Sequence, residues 1–323
     1  MSDASFSLPA GGPQTGAAAP MTGGSAVADW INLLKPRVVV LVVFTGVIGL
    51  AVAPGHLNPV LAFTAILAIA VAAGAAGALN MWYERDIDAL MRRTRNRPIP
   101  AGRIEPDAAL SYGIFLSVAS VVVMGLATNM VAAAALAVSI AFYVLIYTVW
   151  LKRRTAQNIV IGGAAGAFPP VIGWAAVTGH IGLLPVLLFA IVFLWTPPHF
   201  WSLALFAEID YARAGVPMLP VVAGPRHTRW QIMLYTLLLV AVSLLPWALH
   251  VAGPIYGAAA ALLGAGYIVA SWRVLRDAQD ANGHSLTRDA PAKAAFRYSL
   301  LYLALLFAAV PLDAALRRWR RTT

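Results

Sequence analysis

The sequence predicts an all-α, polytopic membrane protein of nine transmembrane helices, and three observations predict it. Of the 323 residues, 60% are apolar and only 11% charged, with a mean hydropathy of +0.77; a soluble domain carries about 25% charged residues. Nine stretches approach the roughly 20 apolar residues that a helix needs to cross the hydrocarbon core. Basic residues gather in alternate connections, the signature of membrane topology. The absence of cysteine excludes disulfide scaffolds, zinc–thiolate sites, iron–sulfur clusters, cysteine nucleophiles and covalent c-type haem attachment.

Taken in order, residues 1–29 are rich in Ala, Gly, Ser, Thr and Pro and carry no Lys or Arg. With neither a basic n-region nor an apolar h-region they read as a disordered tail rather than a signal peptide. The spans follow at 36–54, 59–79, 108–127, 130–150, 159–178, 181–201, 231–250, 254–272 and 297–314. Turns at Pro54–His56, Thr128–Asn129 and Thr178–His180 are short enough to make helical hairpins. The domain assignment is a tail over 1–29, a transmembrane domain over 30–315 and a basic C-terminal tail over 316–323.

Charge fixes the expected orientation. The four long connections, with Lys35, Arg37 and Arg297, hold 19 of the 23 basic residues, while the hairpin turns hold none. The positive-inside rule places the amino terminus and the long connections in the cytoplasm, and nine spans then put the carboxyl terminus outside. Arg317, Arg318, Arg320 and Arg321 run against that rule. The net charge of +10 suits membrane lipids, and with no recognisable nucleic-acid module it does not point to DNA or RNA.

The chemistry concentrates at the ends of two even-numbered spans. Asn80, Glu84 and Asp88 recur every four residues, and each such step drifts only about 40° around a helix, so all three can share a face. Clustered oxygen ligands suit Mg²⁺ with phosphate oxygens completing its shell; the alternative is a solvated helix end. Arg92, Arg93, Arg95 and Arg97 follow directly, and guanidinium groups beside a carboxylate cluster are what a diphosphate requires. Span 6 ends similarly, with Glu208, Asp210, Tyr211 and Arg213. Glu208 and Asp210 cannot face the same way on a regular helix, so Asp210 is the favoured ligand. Lys152 and Arg153, ahead of Asn158, are further candidates for binding an anionic substrate, or topological charges. His199, in WTPPHFW beside Pro197 and Pro198, lies at membrane depth, where an ionisable group faces protein or a cavity. It reads as a substrate contact, a proton acceptor or a hydrogen-bonded packing residue. The small-residue runs at 64–79 and 159–167 serve close helix packing or line a cavity.

These stretches, NMWYERDIDALMRRTRNRPIPAGRI at 80–104, LKRRTAQNIVIGGAAGAFPPVIGW at 151–174 and TPPHFWSLALFAEIDYARAGVPMLP at 196–220, resemble the UbiA superfamily of intramembrane prenyltransferases over roughly residues 30–315. The second and third are most similar to its haem-directed branch. The resemblance implies nine helices around a central cavity, with Asn80, Glu84, Asp88 and Asp210 as catalytic Mg²⁺ ligands. Arg92, Arg95, Arg97, Lys152, Arg153, Asn158, His199 and Tyr211 are implied as the substrate-binding set. It implies farnesyl diphosphate and haem b as substrates, haem being no permanent cofactor, with haem O and diphosphate as products. Placement in a bacterial inner membrane follows, with terminal-oxidase assembly proteins or haem A synthase as candidate partners. Glu84 stands where relatives more often carry Asp. The rival readings are a prenyltransferase for a quinone precursor or chlorophyllide, and a secondary transporter.

Overall fold

The computed structural model describes residues 26–322, without the side chains of 318 and 320–322; residues 1–25 of the expected tail lie outside the described residues. Thirteen α-helices follow one another: α1 Val27–Leu33, α2 Pro36–Val52, α3 Pro59–Tyr83, α4 Arg85–Leu90, α5 Pro106–Ala127, α6 Met130–Ala141, α7 Asn158–Ala167, α8 Pro169–Thr178, α9 Leu183–Phe206, α10 Glu208–Arg213, α11 Leu219–Ala248, α12 Pro254–Leu275 and α13 Ala290–Thr322. Eight single or composite helices among the described residues are long and apolar enough to cross a membrane. The pair α1–α2, bent by 53°, makes a ninth. The chain is therefore a polytopic helical membrane protein.

Helix starts follow local chemistry. Proline opens α2, α3, α5, α8 and α12, where its missing N–H costs nothing and its φ is already helical. Asn58 caps α3 by accepting from Val60 N (2.9 Å). Asn129 caps α6 by accepting from Ala132 N (3.0 Å), and its amide donates to the Ala175 carbonyl (2.7 Å), tying the α5–α6 hairpin to α8.

Several boundaries differ from the expectation. Helix α1 begins at Val27, inside the stretch expected as tail, because Arg103 Nε reaches Asp29 (2.9 Å) and Trp30 packs edge-on against Tyr112. Span 4 leaves the α form at Phe142 and continues as a π-helix to Leu151. Span 7 extends back to Leu219 through a break at Gly224. At the carboxyl end, α13 continues through the segment expected as a tail to Thr322. There Asp313, fully buried, accepts from the Gly253 and Ile255 N–H groups at the start of α12 (2.6 and 3.2 Å) and holds Arg317 (2.9 Å). Arg317 thus balances a local acid.

Close packing rests on small residues. Helices α2 and α8 cross so tightly that a Cβ on Gly49 would meet the Pro170 carbonyl oxygen at 2.1 Å, and one on Gly173 the Gly46 oxygen at the same distance. In lipid no hydrophobic force drives helices together, so backbone approach and buried hydroxyl pairs carry the association. Such pairs join α11 to its neighbours: Thr236 to Ser271 (2.8 Å) and Ser243 to Tyr302 (2.7 Å). Gly173→Ala should lower unfolding stability in detergent by about 1–3 kcal/mol through overpacking. Gly166→Ala, with open space around it, should leave the thermal midpoint unchanged; equal effects would remove this account of the seam.

Candidate functional site

The α3–α4 junction builds the site. Helix α3 ends at Tyr83, Glu84 takes a non-helical conformation (φ −96°, ψ 11°), and α4 restarts at Arg85. Asn80, Glu84 and Asp88 nevertheless remain on one buried strip, exposed by 2%, 1% and 2%. Each meets a different basic residue. Lys35 Nζ donates to Asn80 Oδ1 (2.6 Å), Lys152 Nζ to Glu84 Oε2 (2.5 Å) and Arg97 Nη1 to Asp88 Oδ2 (2.6 Å). Burying charge is tolerable only with such partners.

The supporting geometry explains these meetings. Lys35 precedes Pro36 in a left-handed conformation (φ 52°), which turns the chain between α1 and α2. Its stem lies across Gly77, where a Cβ would stand 3.3 Å from Lys35 Cδ. The π-helix shifts register: the Lys152 N–H bonds the Tyr147 carbonyl (2.9 Å), and Thr148 Oγ1 accepts from Asn80 Nδ2 (3.1 Å). π-turns recur at functional sites because they re-aim side chains in this manner. Tyr143 and Tyr147 stand together on this π-helix, ring centroids 5.4 Å apart, and Lys152 Nζ lies 5.8 Å from the centre of the Tyr147 ring.

The second acidic segment approaches from the other half of the chain. Ile87 and Met91, which flank Asp88, share one core cluster with Ile159, Ala204 and Tyr211. Tyr211 is buried and Asp210 half-buried; among the described residues the Asp210 carboxylate has no hydrogen-bond or ion-pair partner. Glu208 turns elsewhere, lining a cavity of about 520 Å³ with Arg229, His284 and Asp289. Burial raises its carboxyl above the usual range, while His284, 3.8 Å away, works against the shift. Asn158, fully buried at the start of α7, donates to the Thr155 carbonyl (2.6 Å) and leaves Oδ1 without a partner.

Other expected site residues lie apart. Arg153 grips Asp86 with two hydrogen bonds (2.8 and 2.7 Å) and also donates to the Tyr83 carbonyl (3.1 Å). It pins the α3–α4 corner from outside the strip and holds the Asp86 carboxyl below the usual carboxylate range. Arg92 and Arg95 are exposed. His199 sits in the α9–α13 seam, stacked between Trp195 and Phe296 with ring centroids 4.2 and 4.6 Å away. Ser299 Oγ donates to the Phe296 carbonyl (2.6 Å). The network therefore assigns the His199 proton to Nδ1, donating to Ser299 Oγ (2.6 Å), and leaves Nε2 as the acceptor. Lys35, Thr148 and the two tyrosines escaped sequence reasoning; the one signal available was a lysine set before proline ahead of the first long span.

Among the described residues no three of His, Asp and Glu form a ready metal cage. The donors nonetheless suit a hard cation. Glu84 Oε1 is buried without a partner, the Asp210 carboxylate is unengaged, and all are oxygens of the kind Mg²⁺ takes.

The fold defines the class: a polytopic helical membrane protein with buried acids and amides and their cations gathered at one end. Residues 41–301 match the UbiA prenyltransferase family, and the chain belongs to that family. It is 70% identical over 290 residues to the protoheme IX farnesyltransferase of Acidiphilium cryptum, covering 90% of this chain and 92% of that protein. To the enzyme of the same name from Granulibacter bethesdensis it is 69% identical over 295 residues, covering 91% and 93%. In fold it is similar to a digeranylgeranylglyceryl phosphate synthase (TM-score 0.72, 17% identity, covering 89% of this chain and 98% of that one). It is also similar to a UbiA homolog from Archaeoglobus fulgidus bound to GPP and Mg²⁺ (TM-score 0.61, 16% identity, covering 87% and 99%).

Removing Lys152 strands the buried Glu84 carboxylate. Lys152→Met should cost about 3 kcal/mol of unfolding stability, and the double variant Lys152→Met/Glu84→Met should recover most of it. Chemical unfolding in detergent reads both; a double variant no better than the single one contradicts the pairing.

Proposed function

We propose that the chain transfers the farnesyl group of farnesyl diphosphate to a vinyl group of haem b, with addition of water, giving haem O and diphosphate. Identities of 60–70% to four proteins named protoheme IX farnesyltransferase support the acceptor and donor. The observation that carries the chemistry is the set of three base–acid or base–amide pairs at one buried mouth. A purely anionic ligand would satisfy Lys35, Arg97 and Lys152 and strand Glu84 and Asp88. A bare cation would do the reverse. A diphosphate that enters with its metal supplies both signs at once and leaves no buried charge unpaired.

Asn80, Glu84, Asp88 and Asp210 are the residues that would hold Mg²⁺. That ion, when bound, neutralises charge on the diphosphate oxygens. Lys35, Lys152 and Arg97, released from their present partners, are positioned to bind the leaving diphosphate, where negative charge grows as the allylic C–O bond breaks. Arg92, Arg93 and Arg95 supply further cations at the exposed rim. Arg153 acts by fixing the α3–α4 corner. Asn158, with its free buried oxygen, and Tyr211, beside Asp210, orient the two halves of the site around the substrate.

In the bond-forming step the vinyl carbon of the porphyrin joins the farnesyl C1 as the C1–O bond to diphosphate breaks. Water then adds to the cationic carbon next to the ring and loses a proton. The half-buried Tyr143 and Tyr147 and the apolar walls keep bulk water from the allylic centre, which would otherwise give farnesol. His199, its Nδ1 committed to Ser299, offers only Nε2 as a hydrogen-bond acceptor. The reading places the protein in a bacterial inner membrane with the site facing the cytoplasm and the carboxyl terminus outside. Terminal-oxidase assembly proteins or haem A synthase are the fitting partners.

Membranes containing the protein, given farnesyl diphosphate, haem b and Mg²⁺, should yield a product with the mass of haem O. A prenylated quinone precursor without a haem adduct would overturn the assignment. Asp88→Asn should lower turnover by at least about a hundredfold, and chelation of Mg²⁺ should do the same reversibly.

A further inference from the structure

The seam between α12 and α13, at the same end of the bundle as the candidate site, encloses a cavity of about 240 Å³. It is lined by Gly266, Val269, Ala270, Arg273, Ala294 and Tyr298. Its floor is polar-satisfied and fixed: Tyr298 Oη crosses Gly266, where no Cβ fits, and donates to the Leu263 carbonyl (2.9 Å). Val269 is 51% exposed, so the cavity opens on the lipid-facing side. Arg273 stands on its lining. One turn along, Arg276 lies over the half-exposed ring of Trp272 (5.1 Å), and Arg297 is exposed next to Tyr298.

At this end of the molecule some basic residues are paired with acids and others, among the described residues Arg37, Arg92, Arg93 and Arg95, are not. Arg97, Arg103, Lys152, Arg153 and Arg229 each have an acidic partner. Among the described residues Arg273, Arg276 and Arg297 have none. The nearby acids are committed in other directions: Asp277 and Asp289 to Arg229, Asp277 also to Thr287 (2.6 Å), and Asp280 to His284. Lys293 is spent on the Arg288 carbonyl (2.6 Å). Topology alone accounts for unpaired arginines at a membrane surface; what is particular to Arg273 is its place on the lining of an apolar cleft between two helices.

We propose that this cleft is a binding site for an anionic phospholipid, the headgroup phosphate held by Arg273 and Arg297 and an acyl chain lying along Gly266, Ala270 and Ala294. Basic pockets between transmembrane helices at the headgroup level select anionic lipids by this combination. Trp272 suits the same depth, since indole rings favour the interface. The site is separate from the acid–base strip and does not depend on the acceptor chemistry.

Native mass spectrometry of the purified full chain, with phosphatidylglycerol and phosphatidylcholine of identical acyl chains, tests it. Phosphatidylglycerol should be retained selectively, and added salt should weaken its retention. Occupancy should fall about fivefold in Arg273→Gln or Arg297→Gln and about thirtyfold in the double variant. Arg37→Gln, a basic change elsewhere at the same end, should leave occupancy unchanged, and Arg273→Lys/Arg297→Lys should keep most of it. Equal retention of the two lipids, salt-independent retention, or an unaffected Gln/Gln variant would each overturn the site.

Discussion

Everything at the functional end depends on how three buried oxygen-bearing side chains are neutralised. Glu84 and Asp88 are both at least 97% buried as side chains, and an isolated carboxylate at such depth is untenable. Lys152 and Arg97 answer them directly, and Lys35 answers the Asn80 oxygen. These cations come from three different places: the α1–α2 corner, the end of the π-helix and the loop after α4. The pairing therefore draws four segments together before any substrate arrives, and the local irregularities follow from it. The left-handed Lys35, the non-helical Glu84 and the π register around Thr148 each bring one donor to one acceptor.

The opposite end shows the same logic without a site. Asp313 is as buried as Asp88, but its oxygens are taken by the N-terminal N–H groups of α12 and by Arg317. Backbone donors and a helix dipole satisfy it completely. At one end a buried acid closes a helix terminus, while at the other the acids are met by long lysine and arginine side chains rather than by backbone donors. A buried charge alone does not mark function; the nature of its partner does.

Much of this was legible in the sequence because the bilayer is a demanding solvent. Span length, short hairpins and the placement of Asn80, Glu84, Asp88 and Asp210 at two helix ends all follow from hydropathy and period. The spacing argument survives even though the helix breaks at Glu84, since the break is a single residue and the four-residue hydrogen bonds from Glu84 N to the Asn80 carbonyl (3.0 Å) and from Asp88 N to the Glu84 carbonyl (2.8 Å) persist across it. What escaped depended on long-range geometry. Arg153 and Lys152 are neighbours in sequence and equally basic, yet one clamps Asp86 outside the strip and the other reaches Glu84 within it; only the π-turn decides which. Lys35 looked like a topological charge because its partner is 45 residues away. His199 was read as an ionisable group at depth, and the structure supplies what the sequence could not: Ser299, 100 residues on, with aromatic rings on both faces.

The closed pairing also bears on how a substrate must enter. Breaking one pair without replacing either partner leaves a charge buried, at a cost of about 3–5 kcal/mol. A sequence in which diphosphate and metal arrive separately passes through such a state; joint arrival does not. The partly exposed Arg97 and Lys152, 26% and 19% open as side chains against 3% and 1% for their acids, are the members free to move first. On the proposed function the acids would stay where the helices put them while the cations move to the diphosphate, so the fixed half of the site is the half that a metal would meet. That division places rigidity where coordination geometry is strict and mobility where diffuse phosphate charge tolerates it.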